Sequence, residues 1–313
     1  MQRSGQERCV IKIDRIGKLA RLALEKPGAW HVAAVFDRSL LLEAAGAFVV
    51  IGEKSIGNGP LNLICTEWPL VDWLANGLTE GQRARVSSDA VLIDGGPVFD
   101  LAGSAIWSAP SWPIGWTADG LAAALRALTV AAQLRAPAEG LAALMFEIED
   151  TGPTIRTPVA RAALLGVATL EDWLAATLSG GEDAEVMAAA ARGAVHGLMG
   201  LGPGLTPSGD DLLAGLALAL HATGALDAVQ QLAAFVDTAP ADATSAYSRA
   251  LFATALDGHS SETMYRVLSK LLEGKLHELP SCIDLIDRVG HTSGWDLLAG
   301  ALLGLAAVAG AKG

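Results

Sequence analysis

Apolar residues recur in short alternating or continuous runs along the first third of the chain, and at helical spacing along the rest. Residues 30–36, 39–44, 47–51, 61–66, 90–93 and 97–101 are bounded by turn residues and read as strands. Asp94-Gly95-Gly96-Pro97 is a hairpin signal: the glycines accept positive φ, and the proline begins a strand or sits at its edge. Residues 10–26 set Lys12, Arg15, Lys18 and Arg21 opposite Ile11, Ile16, Leu19 and Leu22, which predicts a helix with one basic face, either solvated or facing an anion or partner. Helices are expected in series over 119–136, 138–147, 158–179, 183–199, 208–223, 225–237, 242–257, 260–273, 281–289 and 293–309. No ten-residue helix alternates with the strands, so a mainly antiparallel sheet is expected rather than a doubly wound one. The predicted fold is α+β, with a mainly antiparallel β domain over 1–117 and a larger all-α domain over 118–313.

Composition sharpens that division. Six of eight tryptophans and six of thirteen prolines precede residue 117. Hydrophobic residues make up 51% and charged residues 18%, with mean hydropathy +0.39, so a membrane has to be considered. The longest apolar helical run, 297–311, holds three glycines and is shorter than the roughly twenty residues a bilayer needs, which argues against a membrane partner. Arg3, Glu7 and Arg8 leave no apolar signal core, and Cys9, Cys65 and Cys282 form no CxxC pair; both point to the cytoplasm. A net charge of −12 repels phosphate backbones, so nucleic acid is not an expected partner.

The most informative stretch is residues 200–215, GLGPGLTPSGDDLLAG, an irregular loop entering a helix that is apolar nearly all round and therefore buried. Ser208 and Asp211 have the spacing of a capping box. Capping alone leaves a second carboxylate, four glycines and two prolines before Asp210 unexplained. Residues 208–215 match 293–300, SGWDLLAG, at seven of eight positions, which predicts an internal pseudo-repeat of two buried helices. Mid-helix glycine costs about 1 kcal/mol relative to alanine, so Gly215 and Gly300 are expected where the helices touch. Asp210 and Asp211 are the only Asp, Glu, Lys or Arg between 193 and 226, and Asp296 the only one between 289 and 311, so all three are candidate catalytic residues.

Gly204 and Gly209 have P-loop spacing, but Asp210-Asp211 replaces the required Lys-Ser or Lys-Thr, so that reading is rejected. Helix N-termini still offer N–H donors to an anion. Carboxylates beside an anion fit either a bridging divalent cation, with Asp210 and Asp211 holding Mg²⁺, or a substrate that is anionic at one end and presents amide N–H groups at the other. No cofactor is otherwise implied. Asp210 falls outside the capping geometry, so its carboxylate is expected to be the free one. Candidate substrate contacts are Asn58 in the turn 57–60, Gly202, Gly204, Thr206, Ser208 and Gly209 in the loop, Ser248 with the carboxylate clamp Arg249, and His291, Thr292, Ser293 and Gly294 before the second aspartate. The loop, the second helix start and Asn58 are expected to converge on one pocket that takes a small anionic metabolite.

Together the motifs at 57–60, 200–215, 244–249 and 290–300 resemble the family of AllH, a subunit of oxamate carbamoyltransferase formerly catalogued as a domain of unknown function. That resemblance implies a reaction joining oxamate and carbamoyl phosphate to give oxalurate and phosphate, or its reverse in purine catabolism, within a hetero-oligomeric enzyme. It implies no settled catalytic residues. Two other readings stay open: a Mg²⁺-dependent enzyme built on the aspartates, and a noncatalytic subunit that binds an anionic metabolite.

Overall fold

A computed structural model describes residues 9–69, 73, 77–133, 135–146, 157–181 and 183–312. The chain forms two compact units, Met1–Ala109 and Pro110–Gly313. The first carries β1 (Val10–Gly17), α1 (Lys18–Leu24), β2 (His31–Phe36), β3 (Ser39–Ala44), β4 (Ala47–Gly52), β5 (Asn62–Cys65), β6 (Ala84–Val86), β7 (Ala90–Ile93), β8 (Val98–Asp100) and β9 (Ala105–Trp107).

The predicted helix over 10–26 is mostly strand. Ile11 and Ile13 are buried while Val10, Lys12 and Asp14 are exposed, a period of two that the basic spacing masked. The turn into α1 falls at Gly17, where a Cβ would lie 2.1 Å from the Gly59 carbonyl oxygen. The sheet runs β2-β3-β4-β5-β1-β8-β7-β6, with β9 beside β1. It is mixed: five pairings are antiparallel, while β4 pairs with β5, and β1 with β8 and β9, in parallel. Strand periodicity does not encode which distant strand becomes a neighbour. Val32 donates its N–H to Gln82 O at 2.8 Å and Ala84 to Trp30 O at 2.8 Å, so the two ends of the sheet nearly close into a barrel and bury their free edges. Ile13, Leu40, Ile51, Leu63, Ile93 and Phe99 fill the interior.

The second unit is helical: α2 (Ala118–Ala132), α3 (Ala142–Met145), α4 (Pro158–Ser179), α5 (Ala184–Leu198), α6 (Ser208–Thr223), α7 (Leu226–Asp237), α8 (Ala246–Leu256), α9 (Glu262–Leu272), α10 (Leu279–Ile286) and α11 (Ser293–Lys312). The helix expected over 138–147 shrinks to the single turn of α3, and residue 147 lies outside the described residues. Thr117, Thr157, Ser245 and Ser261 cap α2, α4, α8 and α9 by accepting a backbone N–H.

Helices α6 and α11 form the centre of this unit. In α6 every residue except His221 is buried, as apolar character all round requires. The two run side by side with their N-termini at the same end, where Thr206 and Ser293 hydroxyls lie 3.1 Å apart. A Cβ on Gly215 would lie 1.9 Å from Leu297 O, and one on Gly300 would lie 1.7 Å from Leu212 O. Glycine at both positions therefore permits backbone-to-backbone contact. By length and composition α4 and α11 are each long enough to cross a membrane, which corrects the shorter apolar run read from the sequence. In α11, 72% of that stretch is buried inside the unit, against 28% in α4.

Candidate functional site

The glycine-rich loop follows from how α5 meets α6. A Cβ on Gly209 would fall 2.0 Å from Leu198 O, so glycine lets the end of α5 abut the first turn of α6. Gly202 and Gly204 take φ of +120° and +93°, which bends residues 200–207 back over that turn. The start of α11 is built alike: a Cβ on Gly294 would lie 2.5 Å from Ile286 O at the end of α10. Gly209 donates its N–H to Leu201 O and Gly294 to Val289 O, each at 2.9 Å. Two donors expected to serve an anion are thus taken by preceding loop carbonyls.

Capping logic also misassigned the side chains. Pro207, not Ser208, occupies the N-cap of α6, and no side chain caps that helix. The serines pair across the crossing instead. Ser208 bonds Asp296, Ser293 bonds Asp211, and Thr206 joins the Asp211 side. Leu141 donates its N–H to Asp296 Oδ1 at 2.6 Å, and Thr292 also bonds that carboxyl. Gly140 lies so near that a Cβ there would sit 2.5 Å from Asp296 Oδ1.

Asp210 is the most fully bonded of the three aspartates. It accepts from Gly200 N at 3.0 Å, from Ser248 Oγ at 2.8 Å and from the Thr244 hydroxyl. Its carboxylate ties the loop to α8 and is not the free one. Arg249 is not a free clamp either, because its guanidinium donates to Pro240 O at 2.7 Å beside a crevice of about 10 Å³, room for one water. Among the described residues no three His, Cys, Asp or Glu side chains are grouped to hold a metal ion.

The unsatisfied chemistry sits on the other two acids. Asp211 is 6% exposed and Asp296 0%, and among the described residues the buried Oδ2 atom of each has no hydrogen-bond partner. Burial pushes Asp211 well above the usual carboxylate range; the Asp296 and Asp210 charges push the same way, against the Ser293 and Thr206 hydroxyls. Burial raises Asp296 too, opposed by the Leu141 N–H and the Ser208 hydroxyl. The Tyr247 phenol is raised by burial and then by the nearby Asp211 charge. Two carboxyls under one roof favour retaining a proton.

Residues 198–305 match the family of the oxamate carbamoyltransferase subunit AllH. The AllH stretch begins at the last residue of α5 and stops within α11, so it encloses both aspartates, the glycine loop, Ser248 and Arg249. No curated protein and no solved structure matches the chain.

Of the expected contacts, the AllH stretch brings Thr206, Ser208, Thr292 and Ser293 onto the acid pair, with Gly202, Gly204, Gly209 and Gly294 shaping the backbone around it. His291 is exposed and hydrogen-bonded to Glu139. Asn58 belongs to the first unit, half-buried in the turn before β5. Sequence reasoning missed Gly140, Leu141 and Tyr247. The signal for Gly140 was a glycine just after Pro137 and ahead of a short apolar run; nothing in the pattern linked it to Asp296.

Proposed function

We propose that the chain is a subunit of a carbamoyltransferase acting on oxamate and carbamoyl phosphate, with its reacting end at Asp211 and Asp296. The observation that carries this reading is the family match over 198–305, which coincides with the segment holding the two acids. In this reaction the oxamate amide nitrogen bonds to the carbamoyl carbon, the carbon–oxygen bond to phosphate breaks, and the nitrogen loses one proton. Oxalurate and phosphate result. A carboxylate of the pair accepts the amide N–H and takes that proton, while a protonated partner donates to developing oxygen charge. Both Oδ2 atoms are sealed, so substrate reaches them when residues 202–206 swing aside, breaking the Thr206–Ser293 contact and the 2.8 Å bond from Ser245 Oγ to Leu205 O. The small anionic metabolite is then held by the N-terminal ends of both helices.

We read α5–α6 and α10–α11 as two copies of one helix–loop–helix unit. Glycine at 209 and 294, serine at 208 and 293, aspartate at 211 and 296, and the crossing glycines at 215 and 300 support this by making equivalent contacts.

The sealing of both acids favours a second reading, in which the pair is a structural clasp of a noncatalytic subunit. Assembling the chain with the other subunits and measuring phosphate release from carbamoyl phosphate, with and without oxamate, tests the proposal. Oxamate-dependent release that requires this chain supports the first reading, and unchanged release without the chain rejects it.

A further inference from the structure

A cleft in the second unit lies at the far end of α11 from Asp296. Its volume is about 620 Å³ and its walls are Leu125 and Thr129 of α2, Met145 of α3, the last half of α4 and residues 302–311 of α11. Clefts of roughly 300 to 1,000 Å³ are the size that holds small organic ligands.

We propose that this cleft binds an organic cation, a hydrocarbon body carrying a single ammonium group. The walls are mainly aliphatic, and among the described residues Glu171 is the one charged residue lining them. The hydroxyls present are turned onto their own helices: Thr129 Oγ1 donates to Leu125 O at 3.0 Å, and Ser179 Oγ to Ala175 O at 2.7 Å. Among the described residues, nothing hydrogen-bonds or ion-pairs with the Glu171 carboxylate. Glu171 is exposed at the edge of the cleft, and the partial burial of its carboxylate raises its pKa, with Asp172 adding to the shift.

Helix ends reinforce the sign. Helix α4 terminates at Ser179, and Gly310 and Ala311 of the last turn of α11 line the same cleft. Helix C-termini carry negative partial charge. The last-turn cation that would neutralise it, Lys312, lies 4.1 Å over the Trp116 ring instead. An anion is repelled here, whereas an ammonium on a hydrocarbon body meets the Glu171 carboxylate at the cleft's edge and the negative ends of both helices while its tail lies on the aliphatic walls. This site is independent of the acid pair and of the transferase reading.

Calorimetric titration of the full chain with octylammonium, octanol and octanoate tests it, since the probes share a hydrocarbon tail and differ in charge. Octylammonium should saturate one site and bind roughly tenfold more tightly than octanol, with octanoate the weakest. Glu171→Gln should reduce octylammonium to the affinity of octanol and leave octanol unchanged. Ala306→Trp, at an exposed position of α11 in the cleft, should abolish binding of octylammonium and octanol; Ala175→Phe on α4 does the same by a second route if that variant fails to fold. No saturable binding, octanoate binding as well as octylammonium, or a preference for octylammonium that survives Glu171→Gln overturns the proposal.

Discussion

Substituting Gly300 by alanine perturbs the α6–α11 crossing at its tightest point. The new methyl would lie 1.7 Å from Leu212 O and 2.6 Å from Leu212 C, both backbone atoms that no rotamer change can move. Ordinary contact needs about 3.4 Å, so the helix axes must part by roughly 1.5 Å along a fully buried seam. Overpacking of this kind costs about 1 to 3 kcal/mol or more, and a backbone clash belongs at the upper end. Alanine returns about 1 kcal/mol of helix propensity, leaving a net loss near 2 kcal/mol. For a unit of this size that lowers the melting temperature by roughly 4 to 8 °C. Gly193→Ala is the control: it lies within α5 with nothing inside 4 Å of its added methyl, and should stabilise by up to about 1 kcal/mol. Urea and thermal unfolding of both variants decide the matter. A Gly300→Ala protein as stable as Gly193→Ala would refute close contact between these helices.

Gly215→Ala should behave like Gly300→Ala, and the double variant should cost less than the sum in urea melts, because the first methyl already opens the seam. Asp210→Ala should cost about 3 kcal/mol or more by chemical denaturation, since it strands the Gly200 N–H and two hydroxyls in a buried place. Raised folded-state values at Asp211 and Asp296 contribute stability that is complete below the unfolded carboxylate range and is lost as pH rises through the raised values. Asp211→Asn removes its share of that dependence, so its stability relative to the parent should climb from pH 4 to pH 8, and a difference that stays flat would contradict the shift.

The helices of the second unit were legible because each carries its own period: α4, α6 and α7 fall within a residue of the pattern. Strand β1 was not, because Lys12 and Arg15 happen to fit helical spacing while the deciding fact, pairing with β5, β8 and β9, is long-range. The contact of Gly215 and Gly300 with the facing backbones was readable, since unexplained glycines in buried helices have few other uses. The role of Asp210 was inverted for a physical reason. Capping rules consider a carboxylate's own helix, whereas its partners Thr244 and Ser248 stand on and beside α8, more than thirty residues away. Likewise the Ser208 and Ser293 hydroxyls serve the opposite helix, which no local rule anticipates.

The central claim is that Asp211 and Asp296, rather than Asp210, form the reacting end. The most direct measurement is oxamate-dependent phosphate release by the assembled enzyme carrying Asp211→Asn or Asp296→Asn, with unfolding midpoints taken on the same preparations. The account predicts a fall in kcat/KM of roughly a hundredfold or more for each variant, typical of losing an acid–base group, with midpoints at or above that of the parent at pH 7. Full activity in either variant, at a normal midpoint, would contradict it and leave the pair as a clasp between two helices.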